Sequence, residues 1–171
     1  MAEASGPRRR LESFGERAAR HRAAAGVANV LALDEETDSI DVPLFLGAVA
    51  GKAFAVMHDK QGDTRLVLEL QEGTLSPRQA QALAIITNEF ITNSCKYAFA
   101  SGGRLSVSAN FAAAAVVEMA DDGPGVPADA APGLGIHIIE AMARQIRAGA
   151  EWSTQSGTRL RLTIPRPGEA R

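Results

Sequence analysis

SPRQAQALAIITNEFITNSCKYAF, from Ser76 to Phe99, reads as one long helix around which the chain is arranged. Ser76 is a good N-cap, and Pro77 falls at the first helical position, where its missing N–H costs nothing. Glu89, Asn93, Lys96 and Tyr97 follow at spacings of four, three and one, which puts all four on one face. Leu83, Thr87, Phe90, Ile91 and Ala98 fall on the other side and can pack on a sheet. A solvated helix face is usually a scatter of Glu, Lys and Gln. An acid, an amide, an ammonium and a phenol in line point instead to a functional face.

The bulk properties narrow the choices. A chain of 171 residues, 46% of them hydrophobic, can build a real core as one domain with an appendage or as two small units. A net charge of −2 makes no general case for nucleic acid or membrane binding. Arg8, Arg9, Arg10, Arg17, Arg20 and Arg22 are interrupted by Glu12 and Glu16, as on a solvated helix rather than a polybasic anchor. Cys95 is alone, which removes a disulfide framework and a zinc cluster. Beside Lys96 its thiol could be reactive, but a buried, inert Cys is the plainer reading. No apolar run reaches transmembrane length, and MAEASGPRRR has no signal-peptide core. The expected location is cytoplasmic.

Local pattern supplies the other elements. Residues 1–7 read as disordered, and Arg8 to about Ala25 as a helix ending near Gly26. Leu31 to Asp41 is an acidic loop, and Asp41 can cap a second helix that ends near His58. Thr64 to Leu70 alternates as a strand. After the long helix, Arg104 to Phe111 and Ala113 to Met119 read as an antiparallel hairpin. Asp121 to Pro132 is a Gly-, Pro- and Asp-rich loop. A helix follows from about Gly133 to Ala148, then Glu151 to Thr154 and a last strand, Thr158 to Ile164. Strands in hairpins mixed with helices argue for an α+β, two-layer α/β sandwich, its mixed, mostly antiparallel sheet carrying helices on one face. The expected division is a helical segment over 1–58 and a second unit over 59–171.

Two motif resemblances, to a P-loop and to a dinucleotide fingerprint, fail. Gly47 to Ala53, GAVAGKA, is one spacer residue short of a phosphate-binding P-loop and has Ala53 where a hydroxyl is needed. It also lies inside a helical pattern. Gly133-Leu134-Gly135 lacks the third glycine of a dinucleotide fingerprint, and no strand leads directly into it.

Three other sites are stronger. Asp121-Asp122-Gly123-Pro124-Gly125 follows an apolar strand, so a carboxylate can sit at the base of a pocket while Gly123 and Gly125 let the backbone approach a ligand. Such a carboxylate can accept a hydrogen bond from an exocyclic amine such as adenine's. A plain Asp-Gly-Pro turn explains the same residues. Gly133-Leu134-Gly135 opens a helix whose free N–H groups and dipole suit phosphate oxygens. Gly157-Thr158 is a turn that can line the same cleft.

The order of these elements resembles the ATP-binding fold shared by gyrase B, the Hsp90 chaperone, histidine kinases and MutL, the GHKL superfamily. Glu89 to Ala98 resembles its N-box, Asp121 to Gly125 its first glycine box, Gly133 to Gly135 its second, and Gly157-Thr158 its last. The wording NEFITNSCKYAF, DDGPGVP, GLGIHIIEAMARQI and GTRLRLTIP is most similar to short-lid, HWE-like sensor histidine kinases. The part from ERAARHR to IDVPLFLGAVAGKAF resembles the second stem helix of such kinases and the helix leading into the catalytic domain, with the prospect of a homodimer.

The resemblance implies ATP and Mg2+ as ligands. Asn93 maps to the magnesium ligand and Glu89 to a general base. Lys96 would meet phosphate oxygens and Tyr97 border the nucleotide. Asp121 would hold the adenine amine, with Gly123 and Gly125 shaping its pocket. Gly133, Leu134 and Gly135 would give the phosphates room, and Thr158 would support the adenine end. The implied reaction is transfer of the γ-phosphate to a histidine on a stem helix, for relay to a response regulator.

Three departures stand out. Only Val126 to Pro132 separate the two glycine boxes, a very short lid. His21 resembles a second-helix histidine and not an acceptor, and is otherwise a solvated helix residue; His137 reads as ordinary surface. No sensory domain is evident, so the chain is expected to be a fragment of a longer kinase or a small stand-alone relative. A stand-alone serine kinase of the anti-sigma type, and a nucleotide-free docking or phosphotransfer scaffold, are the competing readings.

Overall fold

The computed structural model describes residues 39–58, 63–99, 102–112, 114–125 and 133–166. The N-terminal helix expected over 8–25, with His21, lies outside them, as do the acidic loop expected up to 38 and the short lid expected at 126–132. In chain order the elements are β1 (Ile40–Asp41), α1 (Val42–His58), β2 (Thr64–Leu70), β3 (Thr74–Leu75), α2 (Pro77–Tyr97), β4 (Gly103–Asn110), β5 (Ala115–Asp121), α3 (Leu134–Gln145), β6 (Gly149–Ser153) and β7 (Arg159–Ile164).

α2 starts where its caps dictate. The Gln79 N–H donates to Ser76 Oγ at 3.3 Å, and the Ser76 N–H donates back to Gln79 Oε1 at 2.9 Å, a closed capping box with Pro77 just inside. The Asp41 carboxylate caps α1 by accepting the Leu44 N–H at 2.8 Å. GAVAGKA lies within α1, as its helical pattern demanded.

The main sheet has the order β2-β4-β5-β7-β6. β2 and β4 run parallel, joined through α2, and every other pairing is antiparallel. Period-2 alternation sends Leu105, Val107 and Ala109, then Ala115, Val117 and Met119, then Leu160, Leu162 and Ile164 to one buried face. The three helices cover that face. The other face carries polar residues, such as Glu118 ion-paired with Arg159 and Arg161. The α+β sandwich follows from that alternation.

α1 contributes Val42, Leu46, Val49, Ala50 and Ala53, all essentially buried, to the core that holds Leu83, Ile86 and Ile91 of α2 and Leu105 and Val107 of β4. At the far end of the sheet, Gln79 Nε2 donates to the Pro165 carbonyl at 2.8 Å, and Arg166 donates to the Phe111 carbonyl at 2.7 Å. These bonds pin the end of β7 to α2 and to the β4–β5 connection.

β5 runs two residues beyond the expected end at Met119. Asp121 continues the inward alternation, and its N–H donates to the Thr158 carbonyl at 2.9 Å. α3 stops at Gln145, short of the expected Ala148. Arg147 takes a left-handed conformation, φ 55°, and the Ala148 N–H reaches back to the Ala143 carbonyl at 2.9 Å, closing the helix end.

Candidate functional site

Asp121 sits in the row of β5 residues that otherwise holds Ala115, Val117 and Met119, and only 5% of it is exposed. A carboxylate there needs hydrogen bonds. Oδ1 accepts two backbone N–H groups, from Gly123 at 3.1 Å and Thr158 at 3.0 Å. Oδ2 accepts the Ser94 hydroxyl at 2.7 Å. The Asp-Gly-Pro turn and the residue that leads into β7 thus close around one side chain.

The glycines make this closure sterically allowed. Gly157 has φ 90°, and a Cβ there would overlap the Asp121 carbonyl. Gly125, φ 76°, packs so that a Cβ would lie 2.7 Å from the Thr154 carbonyl oxygen. A Cβ on Gly123 would overlap Ala98, at the C-cap of α2.

Along α2 lies a second corner. Glu89 is 6% exposed, and its Oε2 has no hydrogen-bond partner. Asn93 is half-buried one turn on. The start of α3 presses on both. A Cβ on Gly135 would lie 2.6 Å from Asn93 Nδ2, 3.1 Å from its Oδ1 and 3.2 Å from Glu89 Oε2. Gly133 caps α3 without any side-chain hydrogen bond, and space around it is open. Hydrogen bonds back to the Gly133 carbonyl come from the Ile136 N–H at 3.1 Å and the His137 N–H at 3.5 Å, so the N–H groups of Leu134 and Gly135 belong to the first turn and have no intrahelical acceptors. No acid sits in the first turn of α3, so that terminus is suited to an anion.

The structure therefore joins Glu89, Asn93 and Gly135 in one corner, and Asp121, Gly123 and Thr158 in another. Lys96 is half-buried, while Tyr97 and Leu134 are 77% and 62% exposed. The four-residue polar face of α2 is thus graded, buried at Glu89 and open at Tyr97.

Ser94 is the residue that sequence reasoning missed. It lies on the sheet-facing side of α2 and is 4% exposed. A hydroxyl on such a face must find an acceptor, and that requirement was the available signal. Its partner, 27 residues away in sequence, was not. Cys95 is buried; burial first, and the negative Asp121 second, push its thiol up to about 11 from 9.0. This agrees with the inert reading.

An oxygen-only pair such as Asn93 and Glu89 suits a hard cation completed by phosphates and water, not a closed protein cage. Among the described residues no group of three or more His, Cys, Asp or Glu forms such a cage. Among them, too, no helix is long and apolar enough to cross a membrane.

A comparison with curated protein sequences finds no match. The profile of the family described as Histidine kinase-, DNA gyrase B-, and HSP90-like ATPase matches residues 78–168. The fold is similar to the histidine kinase domain of the Erythrobacter litoralis EL346 blue-light activated histidine kinase. Identity is 20% and the TM-score 0.72, over 90% of this chain and 76% of that one. It is also similar to the Acinetobacter baumannii histidine kinase AdeS, at 18% identity and a TM-score of 0.60, over 83% and 74% of the two chains. The mycobacterial sensor histidine kinase MprB is similar at 16% identity and a TM-score of 0.59, over 75% of this chain and 97% of that one. With more than half of its length matched by that profile, the chain belongs to the histidine kinase-, DNA gyrase B- and HSP90-like ATPase family.

Proposed function

We propose that this chain is the ATP-binding catalytic part of a two-component histidine kinase in the cytoplasm, passing the γ-phosphate of Mg-ATP to a histidine for relay to a response regulator. The observation that carries this reading is the adjacency of Asn93 and Ser94. Consecutive residues of a helix diverge by about 100°. One flanks Glu89 and Gly135, and the other binds Asp121. A ligand with an amine at one end and phosphates at the other matches that layout.

In this reading the open acceptor direction on Asp121 Oδ2 takes the adenine amine. Gly123, Gly125 and Thr158 hold the backbone around it, and Tyr97 borders the nucleotide. Lys96 and the N–H groups that open α3 at Gly133, Leu134 and Gly135 meet phosphate oxygens. Asn93 would hold Mg2+, which would supply charge neutralisation to the phosphates when bound. The acceptor imidazole is largely neutral at cellular pH, so its nitrogen attacks the γ-phosphorus while the bond to ADP breaks. Glu89 orients the imidazole and takes its proton. Its partnerless Oε2 supports that role.

We also take the ATP-binding unit to begin with β1 and α1, ahead of the division expected at 58, because α1 shares its core. The acceptor stem, as a homodimer, lies outside the unit. Incubation with radiolabelled ATP and a stem-bearing partner tests the reading. Acid-labile phosphohistidine is expected; acid-stable phosphoserine would favour the serine-kinase alternative, and no transfer with no binding the scaffold.

A further inference from the structure

Ser94 follows the proposed magnesium ligand, yet its hydroxyl serves the other corner. A carboxylate offers about four acceptor directions. On Asp121 two are filled on Oδ1, by the Gly123 and Thr158 N–H groups, and one on Oδ2, by Ser94. One direction on Oδ2 is left. The geometry has a second consequence. The donors that touch Asp121 are spent on it, so the unfilled directions on Asp121 Oδ2 and Ser94 Oγ are acceptors. The two backbone donors meet the same oxygen, so they alone leave the carboxylate able to pivot about Oδ1. The Ser94 hydroxyl stops that pivot from a helix anchored in the core.

We propose that Ser94 is a positioning residue for base selection: it locks Asp121 so that the pocket floor accepts an amine and turns away a carbonyl. This deepens the nucleotide reading above and rests on it. A purine with an amine at C6 presents two N–H donors to that floor. A purine with a C6 carbonyl, as in inosine nucleotides, brings lone pairs against lone pairs. Released from Ser94, the carboxylate can swing toward the ring N1–H of such a base, and selection weakens.

The test is titration of the full chain with ADP and with IDP in Mg2+. Wild type should favour ADP strongly. Ser94→Ala should bind ADP roughly ten-fold more weakly, the value of a hydrogen bond to a charged group, with IDP unchanged or improved, so that the ratio narrows. Ser94→Thr, which keeps the hydroxyl, should restore it. A merely structural role would weaken both nucleotides equally, and an unchanged ADP-to-IDP ratio in a folded Ser94→Ala protein overturns the proposal. If wild type shows no preference, or Asp121→Asn binds ADP as well as wild type, the reading of Asp121 itself fails. Thermal melts of each variant separate these outcomes from unfolding.

Discussion

Gly157 lies so close to the backbone carbonyl of Asp121 that it has no room for a side chain. Gly157→Ala adds a Cβ onto the Asp121 carbonyl, at φ 90°. The left-handed conformation alone costs about 1–3 kcal/mol for a non-glycine residue. The expected outcome is a clear fall in melting temperature together with loss of nucleotide binding, read by calorimetry. Cys95 gives a residue-scale prediction in pH. Burial pushes its thiol up to about 11 in the folded chain from an ordinary 9.0, so the folded state retains the proton longer. That stabilisation is complete below pH 9 and is lost as pH rises toward 11. Urea midpoints across this range should fall with pH, and Cys95→Ala should flatten the slope.

At the scale of elements, α2 depends on its start. Ser76→Ala removes the acceptor for the Gln79 N–H and should cost about 1 kcal/mol, measured by urea unfolding. At the end of α3, Arg147 bears the cost of a left-handed backbone that glycine avoids. Arg147→Gly should raise stability by up to about 1 kcal/mol, and a drop in melting temperature would contradict this. These termini also show why sequence reading succeeds and fails. Ser76, Pro77 and Asp41 announce their helices because a cap and its partner lie three residues apart. Asp121 stood out in the sequence because glycines follow it. Its place inside β5 was not, since a carboxylate breaks the apolar run that marks a strand. Ser94 was illegible because its meaning depends on Asp121, and the parallel pairing of β2 with β4 because the contact crosses the whole of α2.

For the whole molecule the central matter is one core. A boundary after residue 58 removes Val42, Leu46, Val49, Ala50 and Ala53 from it. Chain 59–171 should therefore fail to give a cooperative thermal transition, whereas chain 39–171 should melt as one unit. Cooperative unfolding of the shorter piece would restore the earlier boundary. In the proposed function α2 spans that core, with Glu89 and Asn93 at one corner of the site and Ser94 at the other. Calorimetric titration with a non-hydrolysable ATP analogue, with and without Mg2+, tests that claim most directly. The account predicts saturable one-to-one binding, abolished in Asp121→Asn and stripped of its Mg2+ dependence in Asn93→Ala. Absence of binding to wild type, or undiminished binding to folded Asp121→Asn, would contradict it.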